Sequence, residues 1–444
     1  MTFPKRTKRS RFDNFADGSF IPYVVSACFA TDGDRLAAGS YTFKIWPRDA
    51  DYGSSWSFLF WRFVIQVSTV GFHGASGWSA ELPPWNSSST LVLAFGAPAF
   101  VDEPAVWKEL VDMYPDSVIA GCSTAGEIEG ATVSDDSVAV AVAQFERSTL
   151  RSAHVEIEAA AESLEAGRQL GRELLENDLK AVIVLSEGLG VNGTDLARGL
   201  NEVLGQGVIV TGGLAGDGDR FGSTWVLVDG EPRTRAIMAV GLYGDAVEVG
   251  YGFKGGWDIF GPERLVTRSD GNVLYELDSM PALDLYEQYL GDRASELPAS
   301  GLLFPLALRE PGSEGQLVRT ILAVDHDARS MTFAGDVPEG VFAQLMKANF
   351  DRLIEGAESA ALAAGNLPVG EGPVLSLAIS CVGRRLVLGE RIEEEVEATL
   401  GALPPGTSQV GFYSYGELSP DGLGSCELHN QTMTLTTIGE RRVG

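Results

Sequence analysis

The sequence predicts an α/β fold with mixed, partly antiparallel sheets, and three observations lead to this class. Short apolar runs alternate with segments of helical periodicity. Several predicted strands follow one another without an intervening helix, as antiparallel strands do. An order of strand, helix, strand, glycine-acid loop and strand occurs three times along the chain, which indicates internal repeats.

The composition limits the functions to be considered. With 444 residues the chain is long enough for two domains of average size. Its formal net charge of -28 disfavours nucleic acid and anionic membrane surfaces as partners, because both require a concentrated basic surface. Four cysteines without a CxxC pair are typical of reduced thiols in the cytoplasm. The apolar stretch at 56–67 is too short to span a bilayer, so we expect a soluble protein.

The first 70 residues differ in composition from the rest. They contain no glutamate, and they carry nine Lys/Arg against six Asp/Glu, whereas the remainder has a net charge of -31. We expect residues 1–70 to be an extension outside the fold, either a disordered tail or the product of a wrongly chosen start. Val64, Val67 and Val70 are the alternative initiators in the second case. A small basic appendage is the remaining interpretation.

The three copies define the predicted elements. In the first copy, the strand LVLAFG (91–96), a helix at 103–114 and the strand SVIAGC (117–122) precede a glycine-rich loop and the buried strand SVAVAVAQF (137–145). The second copy has strands at 181–188 and 208–213 around a helix at 194–205, and STWVLV (223–228) is its predicted closing strand. The third copy has strands at 374–381, 409–417 and 431–438, with a helix at 391–401.

The region between the second and third copies is predicted to be mixed. RAIMAVGLYG (235–244) and AVEVGYGFKGG (246–256) resemble the two strands of a hairpin. A helix is predicted at 281–291, strands at 300–308 and 316–325, and a long helix from Pro338 to about Gly365.

Polar loops that follow the apolar strands are the main candidates for a binding site. Each joins small residues to a carboxylate: GCSTAGEIEG (121–130), SEGLGVNG (186–193), GGLAGDGDRFG (212–222) and FYSYGELSP (412–420). Glycine allows close backbone approach, hydroxyls offer hydrogen bonds, and a carboxylate suits an ammonium or guanidinium group. If the loops meet at one edge of a sheet, they form a polar crevice for a metabolite. The alternative is that they are tight surface turns.

Three other sites are weaker candidates. GLGVNG matches the dinucleotide pattern at Gly188, Gly190 and Gly193, but the next strand ends without an acidic residue. The free amides of the helix that follows, at Thr194 and Asp195, would instead suit a ligand carboxylate. Cys122 lies at a strand end, where a nucleophile is plausible only with a nearby base.

CELHN (426–430) clusters a thiol, a carboxylate and an imidazole without a standard zinc spacing. A single axial histidine is enough for haem, so His429 is the candidate ligand of a haem alternative. The other interpretation is a histidine hydrogen-bonded within a turn.

Eight ordered blocks together resemble the FIST family, with its N-terminal and C-terminal domains in the expected order. They run from Gly74 to Glu440: GASGWSAELP, GCSTAGEIEG, GGLAGDG, YELDSMPALDLYEQYLG, FAGDVPEG, GRRLVLGERIEEE, GFYSYGEL and CELHNQTMTLTTIGE. The resemblance implies an N-terminal domain at 71–280, a C-terminal domain at 281–440, and sensing of small ligands such as amino acids. Some family members are haem-based nitric oxide sensors, which corresponds to the His429 alternative.

These observations together predict a ligand-binding protein rather than an enzyme. No cofactor is expected outside the haem alternative, and a Cys122-dependent enzyme is the second alternative. Because no signalling domain is recognisable in the sequence, the partner is expected to be a separate histidine kinase or cyclic-dinucleotide enzyme. The expected ligand contacts are Ser123, Thr124, Glu127, Glu187, Asn192, Asp217, Tyr415, Glu417, His429 and Asn430.

Overall fold

The computed structural model describes residues 65–312, 316–367, 372–422 and 424–441. These residues form 27 strands and seven α-helices. They build three repeats of similar topology and one inserted sheet, so the fold is mixed α/β with internal repeats, as the sequence predicts.

The first repeat begins with a strand that the sequence did not predict. Its elements are β1 (Ile65–Phe72), β2 (Thr90–Gly96), α1 (Pro104–Met113), β3 (Val118–Ser123), β4 (Glu127–Glu129), β5 (Thr132–Ser134) and β6 (Val138–Phe145). β1 pairs along its whole length with β6. Residues 65–70, which were expected to lie outside the fold, therefore belong to the sheet. The expectation for residues 1–64 lies outside the described residues.

The second repeat carries an additional helix before its parallel strands. Its elements are β7 (Thr149–Glu156), α2 (Ser163–Leu174), β8 (Leu179–Ser186), α3 (Gly193–Leu204), β9 (Ile209–Leu214), β10 (Val226–Val228), β11 (Glu231–Arg233) and β12 (Ala236–Tyr243). The strand that closes this repeat is β12, which pairs antiparallel with β8. The predicted strand STWVLV is a strand only at Val226–Val228, and its predicted place as the last strand of the repeat was wrong, because it forms a hairpin with β11.

The third repeat begins with β13 (Val247–Lys254) and is then interrupted by the inserted sheet. The inserted sheet comprises β14 (Trp257–Ile259), β15 (Arg264–Asp270), β16 (Val273–Leu277), β17 (Met280–Pro281), α4 (Ala282–Leu290), β18 (Leu306–Arg309), β19 (Leu317–Arg319), β20 (Ile321–Asp325), β21 (Ser330–Phe333) and β22 (Phe342–Ala348). Its strands pair antiparallel throughout the described residues.

The third repeat then continues to the C-terminal end of the described chain. Its remaining elements are α5 (Phe350–Ala364), β23 (Val374–Cys381), α6 (Val382–Leu388), α7 (Ile392–Ala402), β24 (Thr407–Ser414), β25 (Gly416–Pro420), β26 (Cys426–His429) and β27 (Met433–Glu440). The predicted long helix from Pro338 was half wrong, because Phe342–Ala348 is a strand of the inserted sheet and the helix begins at Phe350. The predicted hairpin of 235–244 and 246–256 was also wrong, because β12 and β13 belong to different sheets.

The three repeats form three six-stranded sheets that share one strand order. Each sheet begins with the first strand of its repeat, which is followed by the last strand and then by the two parallel strands of the same repeat. A hairpin from another repeat extends the sheet beyond the second parallel strand. The orders are β1-β6-β2-β3-β10-β11, β7-β12-β8-β9-β25-β26 and β13-β27-β23-β24-β4-β5. Each repeat therefore contributes its hairpin to the sheet of another repeat, and segments of both predicted domains share two of these three sheets.

A glycine at the same position of each repeat allows the two parallel strands to lie close together. These residues are Gly121, Gly212 and Gly411. A Cβ atom there would lie 1.9, 1.8 and 1.7 Å, respectively, from a carbonyl oxygen of the neighbouring strand. No side chain fits at that distance, so glycine is required for steric reasons.

Candidate functional site

Three chain segments cross one another where the parallel strands end and the exchanged hairpins begin. We call residues 123–125, 214–216 and 413–415 the crossing ring. One backbone hydrogen bond joins each segment to the next: Ala125 N to Tyr413 O (2.8 Å), Tyr415 N to Leu214 O (3.1 Å) and Gly216 N to Ser123 O (3.0 Å). Three of the four loops predicted from the sequence therefore cross here, and the fourth loop joins them through Ser186, whose carbonyl oxygen accepts a bond from Ala215 N (2.7 Å).

Glu127 and Glu417 occupy equivalent positions beside the crossing ring, and both are buried. Glu127 accepts hydrogen bonds from the hydroxyls of Thr124 and Ser137. Glu417 accepts equivalent bonds from Ser414 (2.7 Å) and Thr432 (2.9 Å). Burial raises the pKa of Glu127 to about 7 and that of Glu417 to about 8, while the hydrogen bonds act in the opposite direction.

The second repeat departs from this pattern through a longer connection. Ile128 pairs with Gly411 and Leu418 pairs with Gly212, the glycines at which the parallel strands lie close together. Each of the two residues lies three positions after the last residue of its own segment of the crossing ring. In the second repeat the residue in this position is Leu227, eleven positions after Gly216. The second repeat thus contains eight additional residues here. We call residues 217–224 the second-repeat loop.

Asp217 opens the second-repeat loop and connects it to the third repeat. Its carboxylate accepts a hydrogen bond from the hydroxyl of Tyr415. It also accepts bonds from the amides of Gly222 (2.8 Å) and Ser223 (3.0 Å), which close the loop on itself. The ring of Phe221 stacks on Tyr415 with centroids 4.9 Å apart. Burial and the bond to Asp217 raise the pKa of Tyr415, so its hydroxyl remains a donor.

Glu187 joins the same site from the loop after β8. Its carboxylate accepts bonds from the amides of Leu189 and Gly190 and from the hydroxyl of Thr224 (3.3 Å). Thr224 also accepts a bond from the amide of Gly188. Within the described residues, neither Glu187 nor Asp217 has a lysine or arginine partner. The site therefore holds two buried carboxylates without a cation.

Two further predicted contacts touch this site through the backbone. Ser123 accepts a hydrogen bond on its hydroxyl oxygen from the amide of Trp225 (3.1 Å). The side-chain amide of Asn430 donates to the carbonyl oxygen of Tyr415 (3.4 Å). The structure thus connects Ser123, Glu187, Asp217, Tyr415 and Asn430, whereas Thr124 with Glu127 and Ser414 with Glu417 form separate pairs.

Asn192 serves as a helix cap. Its side-chain oxygen accepts bonds from the amides of Thr194 (3.0 Å) and Asp195 (3.3 Å), and its nitrogen donates to Asp336 (2.7 Å). The expectation that these amides are free for a ligand carboxylate was therefore wrong, because the preceding asparagine already binds them.

His429 is buried within the hairpin of β25 and β26. Its ring stacks on Phe253 with centroids 3.9 Å apart, and Nε2 lies 3.1 Å from the carbonyl oxygen of Ser419. Burial lowers the pKa of His429 to about 4, so the imidazole is neutral. A porphyrin needs an open face at the ligating nitrogen, and these contacts occupy that space. The residues around His429 do not fit haem.

The thiol of Cys122 is likewise enclosed. Cys122 is fully buried in β3, and burial raises its pKa well above the usual range. A nucleophilic cysteine requires the thiolate, which this environment disfavours. Cys381 and Cys426 are also free and buried, whereas Cys28 lies outside the described residues. Among the described residues, no group of three metal-ligating side chains is close enough to bind an ion.

All ten predicted contacts are nearly inaccessible, with exposed fractions of 0 to 6%. The outer part of the second-repeat loop is different, because Asp219, Arg220, Gly222 and Ser223 are exposed. A ligand would therefore reach the carboxylates by displacing this loop. The sequence analysis did not identify Phe221 and Thr224, although Phe221 lies within the glycine-acid loop at 212–222 and Thr224 lies two residues after it.

Sequence reasoning also assigned no role to a buried ion pair near the crossing ring. Arg384 and Glu395 are both fully buried, and Arg384 Nε donates to Glu395 Oε1 at 2.7 Å. Glu395 accepts further bonds from Ser380 and Tyr413. Both charged residues belong to the block GRRLVLGERIEEE, which indicated the family without indicating this contact.

The arrangement defines a protein of repeated α/β units with polar loops gathered at one crossing point. A family model described as FIST N domain matches residues 90–280, and one described as FIST C domain matches residues 282–420. The chain therefore belongs to the FIST family. FIST domains are associated with small-ligand sensing in signal transduction, and they act with signalling partners.

Comparisons with curated proteins and with solved structures give no further information about function. Comparison with curated proteins found no match. One solved structure, described as "Structure of PurLQS from Thermotoga maritima", is similar at 10% sequence identity over 85% of this chain and 72% of that chain. Its TM-score of 0.17 supports no inference about fold or function. No helix within the described residues is long and apolar enough to cross a membrane.

Proposed function

We propose that this chain is a small-ligand sensor that binds a metabolite with an ammonium group, amino acids being the favoured class. The observation that carries the proposal is the pair of buried carboxylates, Asp217 and Glu187, without a cationic partner among the described residues. Buried charges are normally paired, because removing them from water is costly. A ligand ammonium group would supply the missing charge.

The second-repeat loop and Tyr415 would form the rest of the site. The ammonium group binds between Asp217 and Glu187, while hydroxyls and backbone amides of the same loops bind the ligand carboxylate. The stacked rings of Phe221 and Tyr415 provide an apolar wall on which a side chain packs. These interactions are those of binding and orientation, and no nucleophile or general base is needed.

The signal would pass through Tyr415 into the third repeat. When the ligand breaks the hydrogen bond between Tyr415 and Asp217, the crossing ring loses one of its connections to the second-repeat loop. A shift of the hairpin of β25 and β26 then changes a surface that a separate protein reads. A histidine kinase or a cyclic-dinucleotide enzyme in the cytoplasm is the favoured partner, and the free thiols of the described cysteines support that compartment.

A thermal-shift screen of the full chain against the twenty amino acids tests this proposal. A ligand that binds only the folded protein at a hundredfold excess over Kd adds about 2.7 kcal/mol to the free energy of unfolding. We expect one chemical class of amino acids to raise Tm in a concentration-dependent way. Asp217→Asn removes a charge-assisted contact and is expected to weaken binding roughly tenfold or more.

Two tyrosine variants separate the site from the general fold. Tyr415→Phe keeps the ring that stacks on Phe221 and removes the hydroxyl that reaches Asp217, so ligand affinity changes. Tyr289→Phe removes a hydroxyl that accepts bonds from Arg264 in the inserted sheet, and it leaves ligand affinity unchanged. Binding that is unaffected in Asp217→Asn and in Tyr415→Phe contradicts the assignment of the site.

A further inference from the structure

A second candidate site lies in the first repeat, away from the second-repeat loop. A cavity of about 470 Å³ opens where β1 and β2 end, beside the start of α1. This is the edge of the sheet at which the parallel strands β2 and β3 terminate, and such edges commonly bind ligands in α/β folds. The volume suits a small metabolite.

Aromatic side chains with fixed positions form the wall of this cavity. The rings of Phe72 and Phe100 meet edge to face, with centroids 6.0 Å apart. The backbone beside Phe100 is held by two indole N–H groups: Trp107 donates to Phe100 O (2.7 Å) and Trp225 donates to Pro98 O (3.1 Å). The wall is therefore formed before any ligand binds.

Both charged side chains that line the cavity in the described part of the chain are acidic. Glu103 and Asp136 line it and are exposed, and neither has an ion pair or a side-chain hydrogen bond with another described residue. Among the described residues, no lysine or arginine lines the cavity. Asp136 adopts a left-handed backbone conformation with φ of 53°. Its neighbours fix it there, since Asp135 pairs with Arg385 (2.6 Å) and Ser137 binds Glu127.

We propose that this cavity binds a small organic ammonium ion. Phe72 and Phe100 give the cavity an apolar side that suits the methyl or methylene groups of such a cation, and the two unpaired carboxylates add a Coulombic attraction. A ligand carboxylate would meet only like charges, so the favoured ligand is an amine or a quaternary ammonium compound rather than an amino acid. The site is distinct from the one proposed for the sensor function, because it shares no residue with it.

A pair of matched probes tests the proposal by isothermal titration of the full chain. Choline carries a quaternary ammonium group, and 3,3-dimethylbutan-1-ol has the same shape without the charge. We expect choline to bind and the neutral alcohol to bind at least about tenfold more weakly, because the alcohol lacks the Coulombic term. Equal binding of the two probes, or no binding of choline, overturns the proposal.

Charge variants locate the binding in this cavity. Glu103→Gln with Asp136→Asn removes both charges, and asparagine tolerates the left-handed conformation at 136. We expect this double variant to bind choline about tenfold more weakly or worse. Glu81→Gln with Glu109→Gln removes two charges from a neighbouring hollow and should leave binding unchanged. Unchanged binding in the first double variant overturns the assignment, whether or not amino acids bind at Asp217.

Discussion

Glu127 and Glu417 show at the scale of single residues what the sequence reveals and what it conceals. Both were selected because a carboxylate follows small residues after an apolar strand. Their partners were not predictable, because Ser137 and Thr432 lie ten and fifteen positions further along the chain. Burial was not predictable either, since it depends on segments of other repeats that cover each carboxylate.

The protonation of Glu417 is expected to make stability depend on pH. Its pKa is about 8 in the folded protein against an ordinary 4.5, so between these values the folded state binds a proton that the unfolded state has lost. The free energy of unfolding therefore falls as pH rises through this window. Glu417→Gln cannot bind this proton, so its free energy of unfolding does not fall in this way. From pH 5 to 8, the free energy of unfolding of Glu417→Gln minus that of wild type should therefore rise by up to about 4 kcal/mol.

Urea unfolding at several pH values measures this difference. Glu397→Gln, on the exposed side of α7, is the matched control and should differ from wild type by the same amount at every pH. A difference between Glu417→Gln and wild type that does not change with pH would show that Glu417 is ionised in the folded protein.

At the scale of elements, periodicity predicted most strands and helices but not how they pair. LVLAFG, SVAVAVAQF and VLSLAISC are buried strands, as their continuous apolar character indicates. STWVLV has the same character, yet only three of its residues form a strand, and they pair with β3 of the first repeat. The error arose because hairpin exchange leaves no signal in local periodicity. Phe342–Ala348 was assigned to a helix because a genuine helix follows it directly.

The close-approach glycines give an element-scale prediction. Gly411→Ala places a Cβ atom 1.7 Å from the carbonyl oxygen of Ala378, so β23 and β24 must separate. We expect a loss of about 3 kcal/mol in the free energy of unfolding. Gly401→Ala, near the end of α7, meets nothing within 4 Å and should be neutral or stabilising by up to about 1 kcal/mol. Equal effects of the two substitutions on Tm would contradict the strand packing described here.

At the scale of the whole molecule, three repeats exchange hairpins around one crossing ring. The sequence revealed the repeats because their order of elements recurs, and eight ordered blocks indicated the family. It could not reveal that β4 pairs with β24 and β25 with β9, because those partners are more than 200 residues apart. This exchange places Tyr415 against Asp217, so the proposed sensor site exists only in the assembled fold.

Hydrogen–deuterium exchange of the full chain, with and without the amino acid that gives the largest thermal shift, tests the central claim most directly. The claim predicts that the ligand changes exchange in residues 186–193 and 217–225, and also in the hairpin at 416–429, because Tyr415 links them. Helix α4 (Ala282–Leu290), which packs within the inserted sheet, should be unaffected and serves as the internal control. Protection confined to other segments, or no change at any peptide, would contradict a ligand sensor built on Asp217, Glu187 and Tyr415.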